Sequence, residues 1–236
     1  MNFKQLLLLI FGTFLFFLPN LNAQEKEDYL TTYDSIIGKE NLAITNGLFH
    51  SNNFRVNDNK DIYFMSEKFT IGSLNYINQL YFDVYLKYDA YNDELVYRPS
   101  GRSEKTGVNI IKANINSFQI NGIKFININN DNEKDKVIKG FYEEKLKNST
   151  LSFYIKHYKS KREVFVNKNV LVEFSDETTF VVKKNNIFSE ISSKTSISKI
   201  FPEKRKIINE YYKNNSELKK KNKTEFFTNL LQNISQ

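Results

Sequence analysis

A run of alternating side chains between Leu80 and Asp89 constrains the fold of this 236-residue chain more than any other stretch. Its apolar members are Leu80, Phe82, Val84, Leu86 and Tyr88, and more polar residues lie between them. A period of two is typical of a half-buried antiparallel strand with one face in the core. Asn78-Gln79 before the run and Asn92-Asp93 after it have turn chemistry, because Asn and Asp tolerate left-handed backbone. The sequence therefore predicts a meander of strands over residues 72–77, 80–91 and 94–98.

Further short apolar runs extend this β pattern towards the C-terminus. Asn121-Gly122 is the strongest hairpin signal, because both residues readily adopt the positive φ that a two-residue turn needs. Asn148-Ser149 is predicted to join strands at 138–146 and 151–158, and shorter runs follow at 163–166, 170–174, 178–184 and 186–191. About ten strands with short turns indicate an antiparallel meander, because parallel strands need longer crossovers. An open sheet of that size would expose its edges, so we expect a mainly β fold closed into a barrel-like or two-layer sheet.

The N-terminus has the layout of a secretory signal peptide. Lys4 precedes an apolar run from Leu6 to Leu18, Pro19 interrupts it, and Ala23 offers a small residue for cleavage. The run has 13 residues, whereas a membrane-spanning helix needs about 20. We therefore expect cleavage after Ala23, no transmembrane helix in the mature chain, and a periplasmic or outer-membrane-associated protein.

The positive charge of the chain is concentrated at its C-terminal end. The net charge is +7, of which +6 comes from the residues from Lys194 onwards, while residues 24–193 are neutral overall. A basic tail on a neutral body argues against a nucleic-acid-binding surface. In the tail, helical spacing links Ile207, Ile208, Tyr211 and Tyr212. A second helix is predicted to begin near Asn222, whose side chain can cap it while Glu225 reaches back three residues later. We expect two amphipathic helices that pack on the β domain.

These patterns divide the chain into four parts. Residues 1–23 are the signal peptide, 24–45 an N-terminal arm or short helix, 46–193 the antiparallel β domain, and 194–236 the basic helical tail. The chain has no cysteine, which excludes disulfides, a lipoprotein anchor, a thiol nucleophile and cysteine-ligated metal.

Four groups of residues form motifs that can be compared with known families. They are Asn46-Gly47, the meander with Gly72, Tyr76, Tyr81, Leu86, Tyr88-Asp89, Asp93 and Leu95-Val96, the run Gly140-Phe141-Tyr142-Glu143, and the tail with Ile200-Phe201-Pro202, Lys204, Lys206, Ile207 and Tyr211. Together they resemble motifs of uncharacterised exported proteins of Bacteroidota-type bacteria. The chain departs from that pattern at Asn78, where such proteins often carry glycine. The resemblance covers most of the mature chain and implies export and a β architecture. It implies no catalytic residue.

The sequence predicts no catalytic, cofactor-binding or metal-binding residue. The two histidines, His50 and His157, lack neighbours at metal-ligand spacing, and His157 fits the pattern of a surface strand residue. Asp131, Glu133 and Asp135 have the alternate spacing of a calcium loop, but the central glycine and the distal glutamate are missing. A solvated loop explains these acids better.

Three further groups have a functional and a structural interpretation. Asp89 and Asp93 have the residue type of a hydrolytic carboxylate pair, but they flank a turn in which Asp commonly bonds the backbone. Tyrosines that suit a stacking face also suit an ordinary pleated surface; they are Tyr76, Tyr81, Tyr85 and Tyr91. Lysines that suit an anionic lipid or lipopolysaccharide also suit a solvated connector; they are Lys219, Lys220, Lys221 and Lys223.

The leading hypothesis is an exported, non-enzymatic envelope protein that acts through contacts with another envelope protein, without a cofactor. The alternative is a carrier that holds a small hydrophobic ligand inside a β-barrel. A weaker alternative is a hydrolase that uses Asp89 and Asp93.

Overall fold

The computed structural model describes residues 42–57, 60–129 and 138–235. The predicted signal peptide, nearly all of the predicted N-terminal arm and the acidic loop with Asp131, Glu133 and Asp135 lie outside these residues. In the described part, eleven strands form one antiparallel sheet. They are β1 (Leu48–Phe49), β2 (Thr70–Tyr76), β3 (Gln79–Asp89), β4 (Glu94–Arg98), β5 (Val108–Asn109), β6 (Ile115–Ile120), β7 (Ile123–Asn129), β8 (Lys139–Lys147), β9 (Ser152–Val166), β10 (Asn169–Lys184) and β11 (Ile187–Ile191).

The sheet is open rather than closed. Its strand order is β1-β5-β4-β3-β2-β6-β7-β8-β9-β10-β11, so β1 and β11 are its two edges. The mainly β, antiparallel class is confirmed, but barrel-like closure is not found, and all the described strands belong to this one sheet. Closure was expected because the exposed edge strands of an open sheet can pair with other chains. Here β1 has only two residues and β11 only five, and short edge strands limit unwanted pairing without closure.

A β-bulge at Asp83 breaks the alternation from which the central meander was predicted. Gly72 pairs with Val84 whereas Leu74 pairs with Tyr81, so two residues of β3 lie opposite one residue of β2. Asp83 has φ of 50°. The extra residue reverses which side chains point inward. Tyr81 is therefore buried before the bulge, and Val84, Leu86 and Tyr88 are buried after it.

The turn between β2 and β3 contains a strained residue. Ile77 and Asn78 both have positive φ, 51° and 61°, as a two-residue type I′ turn requires. Isoleucine is poorly suited to this region because its branched Cβ crowds the following carbonyl. Its side chain is 59% exposed, so little burial would be lost on replacement. We expect Ile77→Asn to raise the free energy of unfolding by about 1 kcal/mol, measured by urea denaturation.

Ile187→Asn is the matched control for this turn. Ile187 is also mainly exposed, but it begins strand β11 and is not among the described residues with positive φ. We expect no stabilisation from this change. An equal gain from both replacements would show that lost surface hydrophobicity, and not backbone strain, is responsible.

The strands β9 and β10 form one hairpin much longer than the sequence predicted. The short runs at 151–158 and 163–166 are parts of the single strand β9, and those at 170–174 and 178–184 are parts of β10. The two strands pair continuously from Ser152–Lys183 to Val166–Asn169. Their middle portions consist largely of charged and polar residues, which have no apolar face and so give no strand signal.

Two main hydrophobic clusters stabilise the sheet. The larger one gathers side chains from β2 to β8 together with Leu42, Ile44 and Phe64 from the N-terminal segment. Phe118 stacks on Phe125 with ring centroids 4.8 Å apart. The second cluster joins Phe153 and other residues of β9 to β11 to the C-terminal helices. The helices are thus an integral part of the fold.

The tail contains four α-helices where two were predicted. They are α1 (Lys194–Ile200), α2 (Arg205–Asn214), α3 (Ser216–Lys221) and α4 (Lys223–Ser235). The predicted cap of the last helix is confirmed, because Asn222 Oδ1 accepts a hydrogen bond from the Glu225 amide at 3.1 Å. Ser193 caps α1 through Ser196 in the same way. The predicted packing of the tail on the β domain is also confirmed, through Phe227 against Phe180 of β10.

Candidate functional site

A buried chain of hydrogen bonds surrounds His50, just after strand β1. The hydroxyl oxygen of Tyr63 lies 2.8 Å from His50 Nε2, and Asn109 Oδ1 lies 2.7 Å from His50 Nδ1. The amide of Asn109 donates to Glu94 Oε2 at 2.5 Å. Because the amide oxygen of Asn109 accepts, His50 carries its proton on Nδ1 and accepts from the Tyr63 hydroxyl. The network joins the loop after β1 to β4 and β5.

The electrostatics of this network favour a neutral histidine. Burial, and then the charge of Lys87, lower the pKa of His50. Lys87 Nζ lies 4.1 Å from the centre of the Tyr63 ring, and burial raises the pKa of Tyr63. A neutral imidazole flanked by a protonated phenol and an amide is a stable, fully paired arrangement.

The same region contains a group of potential metal ligands. One ligand atom from each of His50, Asp89 and Glu94 lies within 4.8 Å of the others. Asp89 and Glu94 are directly opposite each other on β3 and β4, and burial, then the charge of Asp89, raise the pKa of Glu94. However, both ring nitrogens of His50 are already bonded, and His50 is only 7% exposed. These residues could hold a divalent cation only after Asn109 or Tyr63 moves, so the geometry favours a structural network.

Asp89 and Asp93 have different roles, and both carboxylates are bonded within the protein. Asp89 Oδ1 accepts hydrogen bonds from the amides of Tyr91 and Asn92 at 3.0 and 2.9 Å. This is the turn chemistry that the sequence predicted for Asp89. Asp93 is instead largely shielded from water, with 19% of its side chain exposed.

Asp93 is the centre of a cluster of charged and polar side chains. Its two carboxylate oxygens each lie 2.5 Å from a lysine nitrogen, Lys156 Nζ at Oδ1 and Lys112 Nζ at Oδ2. The Tyr88 hydroxyl donates to Oδ1 at 2.6 Å. Burial by itself would raise the pKa of Asp93, but the charge of Lys156 and the three side-chain hydrogen bonds hold it below its usual range. Gly140 makes room for this carboxylate, because a Cβ there would overlap Asp93 Oδ2.

His157 is hydrogen-bonded to Glu143 rather than lying on a free surface. Its Nε2 lies 2.7 Å from Glu143 Oε2, and Lys145 Nζ lies 3.0 Å from Glu143 Oε1. The ring of His157 packs 4.7 Å from that of Phe64. Sequence reasoning missed this pair because Glu143 and His157 are brought together by the pairing of β8 with β9.

The four tyrosines do not form one exposed face. Tyr76 and Tyr81 are buried in the larger cluster. Tyr91 packs against Phe54 and Phe174, and Tyr85 carries the Arg98 guanidinium 4.1 Å above its ring. The interpretation of these residues as a stacking platform is therefore wrong, and the bulge at Asp83 is the main reason. It places Tyr81 and Tyr85 on opposite faces of β3.

The end of the β9–β10 hairpin carries Phe165, which is the most exposed large apolar side chain among the described residues. Phe165 and Val170 are direct cross-strand partners, and their exposed fractions are 80% and 51%. Asn167 and Lys168 make the turn between them with positive φ. We call residues 164–171 the hairpin tip.

The hairpin is held in place below its tip. Val56 forms a parallel bridge with Val172, and Asn57 Nδ2 donates to Glu173 Oε1 at 2.8 Å. Arg162, on the neighbouring strand, lies 2.6 Å from Glu173 Oε2. These contacts hold the hairpin at Arg162, Val172 and Glu173, and the hairpin tip extends beyond them.

The lysine run between α3 and α4 is partly engaged within the tail. Lys219 Nζ lies 5.0 Å from the centre of the Tyr212 ring, and Lys220 Nζ lies 3.0 Å from Glu217 Oε1. Lys221 and Lys223 are exposed and form no ion pair with a described residue. Two of the four lysines therefore keep a freely available charge.

Comparison of the chain with protein-family models, with curated proteins and with solved structures gives no match. Across the described residues, no helix has the length and apolar character needed to cross a membrane.

Proposed function

We propose that this protein is an exported, non-enzymatic envelope protein, periplasmic or associated with the outer membrane, that acts by binding another protein through the hairpin tip. The observation that carries the proposal is the exposed Phe165–Val170 pair at the end of a braced hairpin. Aromatic side chains exposed in this way commonly fill a pocket on a partner and dominate the binding energy. The signal-peptide pattern and the resemblance to exported proteins support the location.

The surroundings of the tip fit a protein partner. Both signs of charge lie on the face that carries Phe165 and Val170, because Lys161 and Glu163 alternate with Phe165 along β9. An apolar centre with a polar rim is the usual composition of a protein–protein interface. A membrane surface would favour a rim of one sign.

Two alternatives have less support. A carrier needs space for its ligand, whereas the larger cluster is occupied by contacting aromatic rings such as Phe118, Phe125 and Phe141. A hydrolase would need Asp89 and Asp93 to be free, and both are bonded within the protein.

A second contact, with anionic lipid or lipopolysaccharide, is proposed for the tail through Lys221 and Lys223 only, because Lys219 and Lys220 are engaged.

Site-specific photo-crosslinking in the native cells tests the proposal. A benzophenone amino acid at Phe165 is expected to give a discrete protein adduct in the envelope fraction, because the tip lies in the interface. The same amino acid at Met65 is the control, since Met65 is also exposed but lies outside the hairpin. Adducts of equal yield from both positions, adducts with lipid only, or no adduct from Phe165 would each contradict the proposal.

A further inference from the structure

A cleft lined by basic and neutral polar side chains separates helices α1 and α2. It has a volume of about 410 Å³ and is lined by Lys194, Thr195, Ser198, Lys199, Arg205 and Asn209. The four residues from α1 follow helical spacing and share one face, as do Arg205 and Asn209 on α2. Cavities of roughly 300–1,000 Å³ are typical of small-molecule sites. None of the described residues that line this cleft is acidic.

The positive charge of the cleft is not neutralised within the described part of the chain. Lys194, Lys199 and Arg205 form no ion pair with any described residue. Glu203, two residues before Arg205, instead pairs with Lys184 of β10 at 3.0 Å. Lys184 also donates to the Ile200 carbonyl. The sheet thus engages this acid, and the three cations of the cleft have no ion-pair partner among the described residues.

The helices that form the cleft are firmly anchored. Ile197 of α1, Phe201 of the connection and Ile208 of α2 are all buried in the second cluster. The backbone between the helices turns through Pro202 in a short 3₁₀ segment, Pro202–Lys204. A cleft with fixed walls binds a ligand with a smaller entropic cost than a mobile surface.

We infer that this cleft binds a phosphoryl group, either as a free phosphate compound or as the headgroup of an anionic lipid. Three cations suit the double charge of a phosphate better than the single charge of a carboxylate. A guanidinium matches two phosphate oxygens at once. The hydroxyls of Thr195 and Ser198 and the amide of Asn209 supply neutral donors for the remaining oxygens. This site is separate from the hairpin tip and goes beyond the proposed function.

Titration of the mature protein with inorganic phosphate, followed by ¹H–¹⁵N NMR at constant ionic strength, tests the inference. Phosphate is expected to change the amide chemical shifts of residues 194–209. Arg205→Gln is expected to weaken phosphate binding by at least about tenfold, because it removes a charge-assisted hydrogen bond. Lys199→Gln is a second variant at the same site. The control Lys220→Gln removes an exposed charge from the same tail, outside the cleft, and should change the affinity by less than about twofold.

Vesicles of phosphatidylcholine with and without phosphatidylglycerol distinguish the two sources of the phosphoryl group. Sedimentation that needs phosphatidylglycerol and is lost in Arg205→Gln, with no response to inorganic phosphate, would support a lipid headgroup. A response to inorganic phosphate that Arg205→Gln abolishes would support a free phosphate compound. The inference is overturned if Arg205→Gln changes neither kind of binding, or if Lys220→Gln weakens phosphate binding as much as Arg205→Gln does.

Discussion

Replacement of Asp93 by asparagine is expected to lower the free energy of unfolding by about 3 kcal/mol at neutral pH. Asparagine has nearly the same shape, so the change removes the negative charge and little else. Lys112 and Lys156 would then lie beside each other without a counter-ion, and the Tyr88 hydroxyl would lose its charged acceptor. Removing one partner of a buried ion pair is costly because it leaves the other charge desolvated and unpaired. Urea denaturation at neutral pH measures the difference.

The effect of Asp93→Asn should depend on pH in a defined direction. Burial alone would raise the pKa of Asp93, but Lys156, Lys112 and Tyr88 lower it below its ordinary value. A carboxyl group whose pKa is depressed by folding stabilises the native state above its unfolded pKa, and this stabilisation is lost as the pH falls through the folded pKa. The difference in free energy of unfolding between the unmodified protein and Asp93→Asn should therefore have its full value near pH 6 and should shrink below about pH 4.

Glu217→Gln is the control for this cluster. Glu217 also pairs with a lysine, Lys220 at 3.0 Å, but both side chains are largely exposed. We expect a change of no more than about 0.5 kcal/mol, because exposed ion pairs contribute little. A loss of stability in Asp93→Asn that is equally small, or that does not vary with pH, would contradict the role assigned to the Asp93 cluster.

Replacement of Phe226 by alanine is expected to lower the free energy of unfolding by about 4 kcal/mol. Phe226 of α4 is 0% exposed. Its ring packs against Tyr211 and Tyr212 of α2, at centroid distances of 5.2 and 4.9 Å, and against Phe227. The replacement would remove an aromatic ring where two helices meet and leave a cavity. Denaturant unfolding measures the change in free energy of unfolding. Amide hydrogen exchange shows whether α4 opens locally before the rest of the domain unfolds.

Phe165→Ala is the control, since it is the same replacement at a ring that is mainly exposed. We expect Phe165→Ala to change the free energy of unfolding by no more than about 0.5 kcal/mol. If Phe226→Ala cost as little as Phe165→Ala, the helical tail would not be an integral part of the folded domain, and the cleft between α1 and α2 would lose its fixed walls.

Local sequence signals were reliable where they concerned neighbouring residues. The Asn121-Gly122 turn, the cap at Asn222 and the turn bonds of Asp89 all depend on residues a few positions apart. The bulge at Asp83 was not predicted, because nothing in its own sequence marks it and it depends on the pairing with β2. The long hairpin was predicted as separate short runs, because its charged middle portion has no apolar face. Here pairing with the neighbouring strand, and not local propensity, extends the strand.

The candidate sites show the same limit. Lys112 and Lys156 lie far along the chain from Asp93, so their meeting at its carboxylate could not be read from spacing. The basic character of the tail was evident from composition, but the lysine run at 219–223 is partly engaged within the tail, and other residues form the cleft.

The sequence by itself determined the antiparallel β class, most of the turns and the amphipathic character of the tail. These properties follow from the period of apolar side chains and from the backbone preferences of Asn and Gly, which are local. Only the tertiary structure decided that the sheet is open, that Asp93 is held by two lysines, and that three cations of the tail surround a cleft. Those properties depend on strand register and helix packing, which bring together groups that are remote in sequence.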